Sequence, residues 1–522
     1  MKTILLKTIC GIAILFVSML SHSIKAQVTF QKSIGIYAYD AHKVVNGTGY
    51  VFGGISNIPI AGVRNCYVVR TDVNGDTLWT SNWGGVAGAC DQQYINDLCA
   101  VSDGGAIGNG GKGVCGDTTK GGAIVRIDAN GNVKWAKSFA TFCDPYPCMQ
   151  SSDGHFITGG YISPQGGFQY TPFDAFLTKL DSASGDTIWS RSYGGAGTVD
   201  WFYHILQTAD GGYLAAGKTN SFGQGGSDIY LVKTDANGNL MWSKAYGTAL
   251  NEYAFGHCLQ ATTDGGYIVT GQAGGTQGIF LMKLDGTGNI SWAKYYDGLW
   301  AHGVKQTASG GYVVSGTSSV AGNGKDVLLI KTDASGNVLW SKNYGGTGSD
   351  QGLILETASD GGFVAGGTST SFSVGVGGGL YIIKSDSNGN SGCNETNAAV
   401  TYSVAPFVAV NAATVVSKGP NTYSYSYLFA KGATVMGLCT TAGVSEAMSK
   451  QQEIKVYPNP SAGMIKIESE KELGLITISN LLGETFYTER INSTSQQIDM
   501  SKQSPGIYII KTGNSQLKII RE

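Results

Sequence analysis

In the stretch TDANGNLMWSKAYG, Asp235, Asn237 and Asn239 alternate as oxygen donors around Gly238, the beginning of a calcium-binding hairpin. Near copies end at Gly85, Ala140, Gly195, Gly298 and Gly346, and none carries the further acidic ligand that would complete a shell of six or more oxygens. We therefore read the Asp-x-Asn-Gly-Asn stretch as a tight turn, the Asp capping backbone N–H groups and the Gly supplying positive φ, and expect no metal. Three other sets could act on a ligand. Tyr94, Tyr146, Phe168, Tyr170, Trp201, Tyr203, Tyr253 and Trp300 would make an aromatic crown, and Asp91, Asp200, Glu252 and Asp350 an acidic ring. His204 and His257 share a register, with His302 one residue off. Each set also has a packing reading: rings wedged between repeats, carboxylates capping local backbone, imidazoles satisfied along a channel.

The elements that position these residues are repeats. Each unit follows one grammar, clearest in FYHILQTA, DGGYLAAGKT, a variable loop, SDIYLVKTD, ANGN and LMWSKAYG. Apolar runs of five to eight residues between Asp-Gly, Asn-Gly and Gly-Gly turns, with no helical periodicity, are four strands of a meander. Units of about 50 residues that cannot bury their own faces predict propeller blades. Trp79, Trp135, Trp189, Trp242, Trp292 and Trp340 mark six fourth strands. The seventh unit stops after its turn, with Cys393 where its Trp should stand. VTFQKSIG, residues 28–35, has Phe30 in that slot, so an N-terminal strand is expected to complete the last of seven blades. Closure of this kind removes the open sheet edge. In this arrangement the crown, the acids and the second-to-third-strand loops share one face.

Composition narrows the function classes. Charged residues are 14% of the chain and the net charge is −2, so bulk attraction to nucleic acid is excluded. Lys2 and Lys7 precede an apolar run from Ile9 to Leu20, which reads as a signal peptide over 1–26 and is too short to span a bilayer. No later segment is long enough either. Removing Cys10 leaves nine cysteines in an oxidising compartment. Disulfides are expected among Cys66, Cys90, Cys115, Cys143 and Cys148, with Cys143 to Cys148 the favoured local bridge and Cys258 the unpaired thiol. Cys393 and Cys439 bracket a segment, 394–445, whose only charges are Glu395, Lys418 and Lys431 and whose alternation predicts a small β extension stapled to the propeller over 27–393.

The repeats resemble those of secreted bacterial seven-bladed propellers, a likeness specific for architecture and silent on activity. From Glu446 the composition changes to 18 charged residues in 77, and short strands separated by NPSAG, LLGE and SPG turns predict an immunoglobulin-like β-sandwich over 446–522. VYPNPSAG, ISNLLGE, SPGIYIIK and the basic ending with Lys518 and Arg521 resemble the C-terminal sorting domain of type IX secretion cargo in Bacteroidota. The motif positions are Tyr457, Pro458, Asn459, Pro460, Gly463, Gly483, Gly506, Tyr508 and Lys511. The resemblance implies the type IX machinery as partner, export through the periplasm and outer membrane, and a secreted or surface-attached product.

No GxSxG elbow, HExxH or P-loop occurs, and the Gly-x-Gly stretches open strands. LDSASGDTIW resembles the tryptophan-docking motif of quinoprotein propellers, but the other five Trp-bearing repeats have Asp seven rather than eight residues before Trp. We expect no cofactor and assign no catalytic residue. The expected function is an all-β binding or adhesion module for a glycan or protein, with Trp201, Tyr203, Tyr253, Trp300, Asp200 and Asp350 as its ligand contacts. The alternative is a secreted carbohydrate-active or other propeller enzyme on the same face, with two ring carboxylates as acid and base.

Overall fold

The computed structural model describes residues 29–34, 37–43, 49–56, 65–84, 92–93, 95–113, 121–163, 172–195, 199–275, 278–372, 378–420, 422–424, 428–430, 435–437, 454–469, 472–480, 485–512 and 515–522. The signal segment, Tyr94, Asp91, Phe168, Tyr170, Cys90, Cys115, Cys439 and Gly483 lie outside them. Among the described residues every regular element is a strand, and no helix is long and apolar enough to cross a membrane. The chain divides into two compact units, Met1–Cys439 and Thr440–Glu522.

The first unit holds seven antiparallel five-stranded sheets in a propeller-like arrangement. Sheet 4 shows the pattern: Asp200–Gln207, Tyr213–Thr219, Asp228–Thr234 and Leu240–Gly247 pair in order. The third strand is buried on both faces, which is why DIYLVKT is a continuous apolar run instead of an alternation. First strands of consecutive sheets touch, and that of sheet 7 touches that of sheet 1, so the contacts close on themselves. In sheet 7, Ile354–Thr357, Phe363–Ser369 and Gly379–Ser385 are followed by Phe30–Ile34, which runs antiparallel to the third strand with Phe30 opposite Lys384.

That register is the tryptophan register. Trp79, Trp135, Trp189, Trp242, Trp292 and Trp340 each stand opposite a third-strand cation, from Arg70 to Lys331. Each indole then covers the turn glycine of the next sheet: a Cβ on Gly238 would fall 2.8 Å from Trp189, and one on Gly75 would fall 2.6 Å from Phe30. Gly238 has φ of 76°, so geometry and space both demand glycine there. Tyr193, Tyr246, Tyr296 and Tyr344 donate to the turn carbonyls of Gly238, Gly288, Gly336 and Gly389, tying each sheet to its successor.

The segment after Cys393 is not a compact extension. It runs around the unit and adds a fifth strand to every sheet in reverse order. Glu395–Asn397 lies on sheet 6, Tyr402–Val404 on sheet 5, Val408–Asn411 on sheet 4 and Val415–Lys418 on sheet 3. Thr422–Ser424 follows on sheet 2, Leu428–Ala430 on sheet 1 and Val435–Gly437 on sheet 7. One strand begins every six or seven residues, about 20–23 Å of extended chain, enough to step from one outer edge to the next. The segment therefore pairs the outer edge of every sheet.

Cysteine chemistry differs from expectation. Cys66, Cys143, Cys148 and Cys258 are buried thiols outside any disulfide, as is Cys99. Cys143 and Cys148 belong to one strand, opposite Ile162 and Thr158, which puts several residues of extended chain between them. A disulfide needs Cα atoms within about 7 Å, so the favoured bridge cannot form. Cys393 is disulfide-bonded.

The second unit has a three-stranded and a four-stranded sheet. Ile465, Ile467 and Ile498 from one and Ile476, Ile478, Tyr508, Ile510 and Ile519 from the other share one core.

Candidate functional site

The Asp-x-Asn-Gly-Asn turns are self-contained. Asp235 Oδ1 accepts from the backbone N–H of Asn237 and Asn239 at 2.9 and 2.8 Å, while Oδ2 accepts from Asn239 Nδ2 at 2.8 Å. The equivalent hydrogen bonds to Asp285, led by the Asn289 N–H, hold its pKa down at about 2. No cluster of three metal-ligating side chains occurs among the described residues.

The aromatic residues do converge. First strands open with a bulge in sheets 1, 3, 4 and 6, one of which falls between Phe202 and His204. The residues there form an arc: Tyr146 meets Tyr203 edge-on at 5.1 Å, Tyr203 meets Phe255 edge-on at 5.6 Å, and Phe255 stacks on His302 at 5.6 Å. The arc spans sheets 3 to 6. Tyr253 stacks on Phe255 at 5.4 Å.

Trp201 is placed differently. Its ring stacks on Tyr161 at 4.4 Å with an interplanar angle of 13°, and Lys218 Nζ lies 4.3 Å from its centroid. An ammonium and a ring that close cannot share one face, so both faces of the indole are covered. Lys218 also lies 5.5 Å from Tyr253, and burial pushes its pKa down. Trp300 carries Lys325 Nζ at 4.7 Å over its ring. Trp201 and Trp300 thus each carry a lysine over the ring and, like Tyr146, Tyr203, Tyr253 and Phe255, are half-buried.

The acids do not form a ring facing a channel. Asp200, Glu252 and Asp350 are each 0% exposed. Asp200 accepts from Gly195 N and Ser221 Oγ, Glu252 from Thr248 N and Oγ1, and Asp350 from Gly346 N and Ser371 Oγ. These are local caps, each on the loop leading into its own sheet.

Farther along the first strands lies a cavity of about 480 Å³, lined by Asp97, Cys99, Cys148, His204, His257 and Lys305 among others, reaching the first-to-second-strand turns at Ser102 and Ser152. That volume is in the usual range for a small-molecule site. His204 and His257 meet edge-on at 5.2 Å, and His257 Nε2 lies 3.6 Å from Asp97 Oδ1. His302 is held neutral, its pKa down at about 4 through burial and then through His257. Sequence reading directed attention to the loop-rich end of the sheets, whereas this cavity opens at the ends with tight turns. It also missed Phe255 and Lys218, because bulges shift the count from repeat to repeat.

In the second unit, Asn459 Oδ1 accepts from Ile520 N at 2.9 Å and Ser461 N donates to Ile520 O at 2.8 Å, pinning the Pro458–Pro460 motif to the last strand. Tyr508 is buried in the core and donates to Ser504 O, and Gly463 N donates to Ser461 Oγ. Gly506 opens the strand Gly506–Thr512, on which Lys511 is exposed.

Residues 455–522 match the family described as the secretion system C-terminal sorting domain. The match supports a Bacteroidota-like type IX cargo, exported to the cell surface or released. No curated protein matches the chain. A protein of unknown function from Bacteroides caccae is similar at 12% identity over 60% of this chain and 94% of its own, with a TM-score of 0.34. PorZ of Porphyromonas gingivalis, described as an essential surface component of the type IX secretion system, is similar at 11% identity over 94% of this chain and 82% of its own, with a TM-score of 0.18.

Proposed function

We propose that the seven sheets are blades of a propeller closed by the N-terminal strand, that the second unit is an immunoglobulin-like sorting module, and that the exported propeller is a binding or adhesion module for a surface glycan or protein. The observation that carries the binding role is the unbroken arc from Tyr146 through Tyr203 and Phe255 to His302, flanked by Tyr253 and Lys218. Half-buried aromatic rings with polar edges supply contact area to sugars and protein side chains at low entropic cost. An enzyme on this face has less support, since Asp200, Glu252 and Asp350 are buried and each accepts from a local backbone N–H and a local hydroxyl.

The test is binding of the mature chain to a panel of polysaccharides and surface proteins. Tyr203→Ala with Tyr253→Ala should weaken the recognised ligand at least about tenfold, roughly 1.4 kcal/mol. Trp201→Ala should instead lower stability by up to about 3 kcal/mol, because it empties the slot between Tyr161 and Lys218. Unchanged binding by the double tyrosine variant to every ligand would remove the arc as a site.

We also assign the partner of Cys393 as Cys439. The encircling segment starts beside sheet 7 and returns to it, where Lys32 pairs with Gly437, and Gln31 Nε2 donates to Cys393 O. A bond across that point closes the segment into a hoop. Peptide mapping of exported protein without reduction should recover the 393–439 linkage, and a free Cys439 thiol would refute it.

A further inference from the structure

We propose that three junctions between sheets each hold one proton shared by two carboxyl groups, all buried except the half-buried Asp174: Asp174 with Asp200, Asp228 with Glu252 and Asp326 with Asp350, so that the ring tightens on mild acidification and loosens when both groups ionise. The repeats themselves supply the first argument. Five residues before the third-strand cation stand Asp174, Asp228 and Asp326 in sheets 3, 4 and 6, and the next sheet then opens with an acid. In sheets 2, 5 and 7 the same position is Gly121, Gly278 or Gly379, and the residue opening the next sheet is Cys143, Leu299 or Ile36. At these six junctions acids come as pairs or not at all. Sheet 1 has Asn65 in that position, followed by Asp91, which puts a neutral amide donor where the other three have a carboxyl group.

The three paired junctions share one geometry. The N–H of Asp200, Glu252 and Asp350 donates to the carbonyl of the residue just before the third-strand Asp: Phe173, Ser227 and Lys325, at 2.8, 2.8 and 2.6 Å. At the Asp228–Glu252 and Asp326–Asp350 junctions both carboxyl groups then crowd one glycine. A Cβ on Gly247 would lie 1.7 Å from Asp228 Oδ1 and 2.8 Å from Glu252 Oε2, and one on Gly345 would lie 2.3 Å from Asp326 Oδ1 and 2.7 Å from Asp350 Oδ2. Asp200, Asp228, Glu252, Asp326 and Asp350 are at most 2% exposed. Oδ1 of Asp200, of Asp228 and of Asp326 is buried without a hydrogen-bond partner, a costly state for an ionised carboxylate and a satisfied one for a carboxyl O–H facing a second carboxylate.

The surroundings favour a proton over a metal ion. The groups touching these carboxylates are donors: Gly195 N, Ser221 Oγ, Gln224 N, Gly225 N, Thr248 Oγ1, Gly346 N and Ser371 Oγ. A hard cation needs six or more oxygens, and these N–H and O–H groups point their hydrogens inward. The titratable neighbours are Tyr230 beside Asp174 and Asp200, Tyr295 beside Glu252, and Tyr381 beside Asp326 and Asp350. All three are neutral below pH 10 and offer no compensating charge. Burial, and then Asp200 and Asp350, push Asp174 and Asp326 up to about 6, and burial also raises Asp200 and Asp228. A folded pKa above the unfolded value of about 3.9 means that the stabilisation is complete below that value and lost as pH rises through about 6. The exposed turn aspartates behave oppositely, with pKa values of about 2 for Asp210, Asp264 and Asp285, and lose their contribution only as pH falls below about 4.

The test is thermal unfolding of the mature chain at pH 5, 6.5 and 8, with and without calcium, beside Asp174→Asn, Asp228→Asn and Asp326→Asn singly and together. The parent Tm should fall by about 3 °C or more from pH 5 to 8. The triple variant should lose most of that fall and match or exceed the parent at pH 8, each single variant removing a part of it. A parent Tm flat over this range, or a triple variant that keeps the fall, overturns the proposal. So does a parent stabilised by calcium at pH 8 through these aspartates, which would make the sites cation-binding. Should the triple variant not fold, the single variants decide by the same criterion.

Discussion

A chain lacking residues 29–34 is expected to aggregate or to lose its cooperative melting transition. Phe30–Ile34 is the inner partner of two strands at once, Gly379–Ser385 and Val435–Gly437, so its removal leaves unpaired ladders on both sides. Phe30 is 8% exposed and Ile34 0%, and their truncation alone costs about 5–10 kcal/mol, comparable to the whole net stability of an ordinary domain. Gln31 adds hydrogen bonds to Ser391 Oγ at 2.9 Å and from Tyr381 O–H at 2.8 Å. Phe30→Trp, by contrast, should be tolerated, because Phe30 meets Gly75 as the six tryptophans meet their turn glycines. Size-exclusion chromatography and thermal melts of the two variants check this. A monomeric deletion variant with the parent's Tm would mean that Phe30–Ile34 does not close the ring.

The sequence was legible where physics repeats. Seven similar turns, six tryptophans and an orphan strand with Phe30 in their register define strands and pairing, because the indole and the turn glycine it covers must vary together. The encircling segment was legible only as strands. Its pieces are three or four residues long, with Val404 79% and Val415 63% exposed, so no alternation reveals which edge each one joins. The cysteine reading failed because nearness in sequence was taken for nearness in space: within one strand, Cys143 and Cys148 are carried apart at about 3.3 Å per residue. At the candidate site the residue types were legible in the sequence and their contacts were not. Nothing in the sequence says that Lys218 reaches across to cover Trp201, since that contact is made between adjacent strands whose offset is set by a bulge.

Removing residues 446–522 should abolish surface delivery while leaving the melting transition of the first unit in place. The matched family region, 455–522, lies within the second compact unit, Thr440–Glu522. The core of that unit is built from its own residues, Ile465 through Ile519. Truncation there deletes a core whole instead of leaving a cavity in another, so the usual penalty for large-to-small change does not arise. The cut also falls after Val435–Gly437, leaving the fifth strand of sheet 7 and all six before it on their edges. Cutting at 393 would strip all seven edges, remove the buried Ala405 and Phe407, now 7% and 9% accessible, and expose the rings of Phe280 and Tyr295 that pack on Phe407. Cell fractionation reports delivery, and melting of purified periplasmic protein reports folding. The 446–522 deletion should be periplasmic and cooperatively folded, and the 393 truncation should be unstable in any compartment. Surface delivery of the shorter deletion would sink the sorting role, and an unfolded product would mean that the first unit depends on the second.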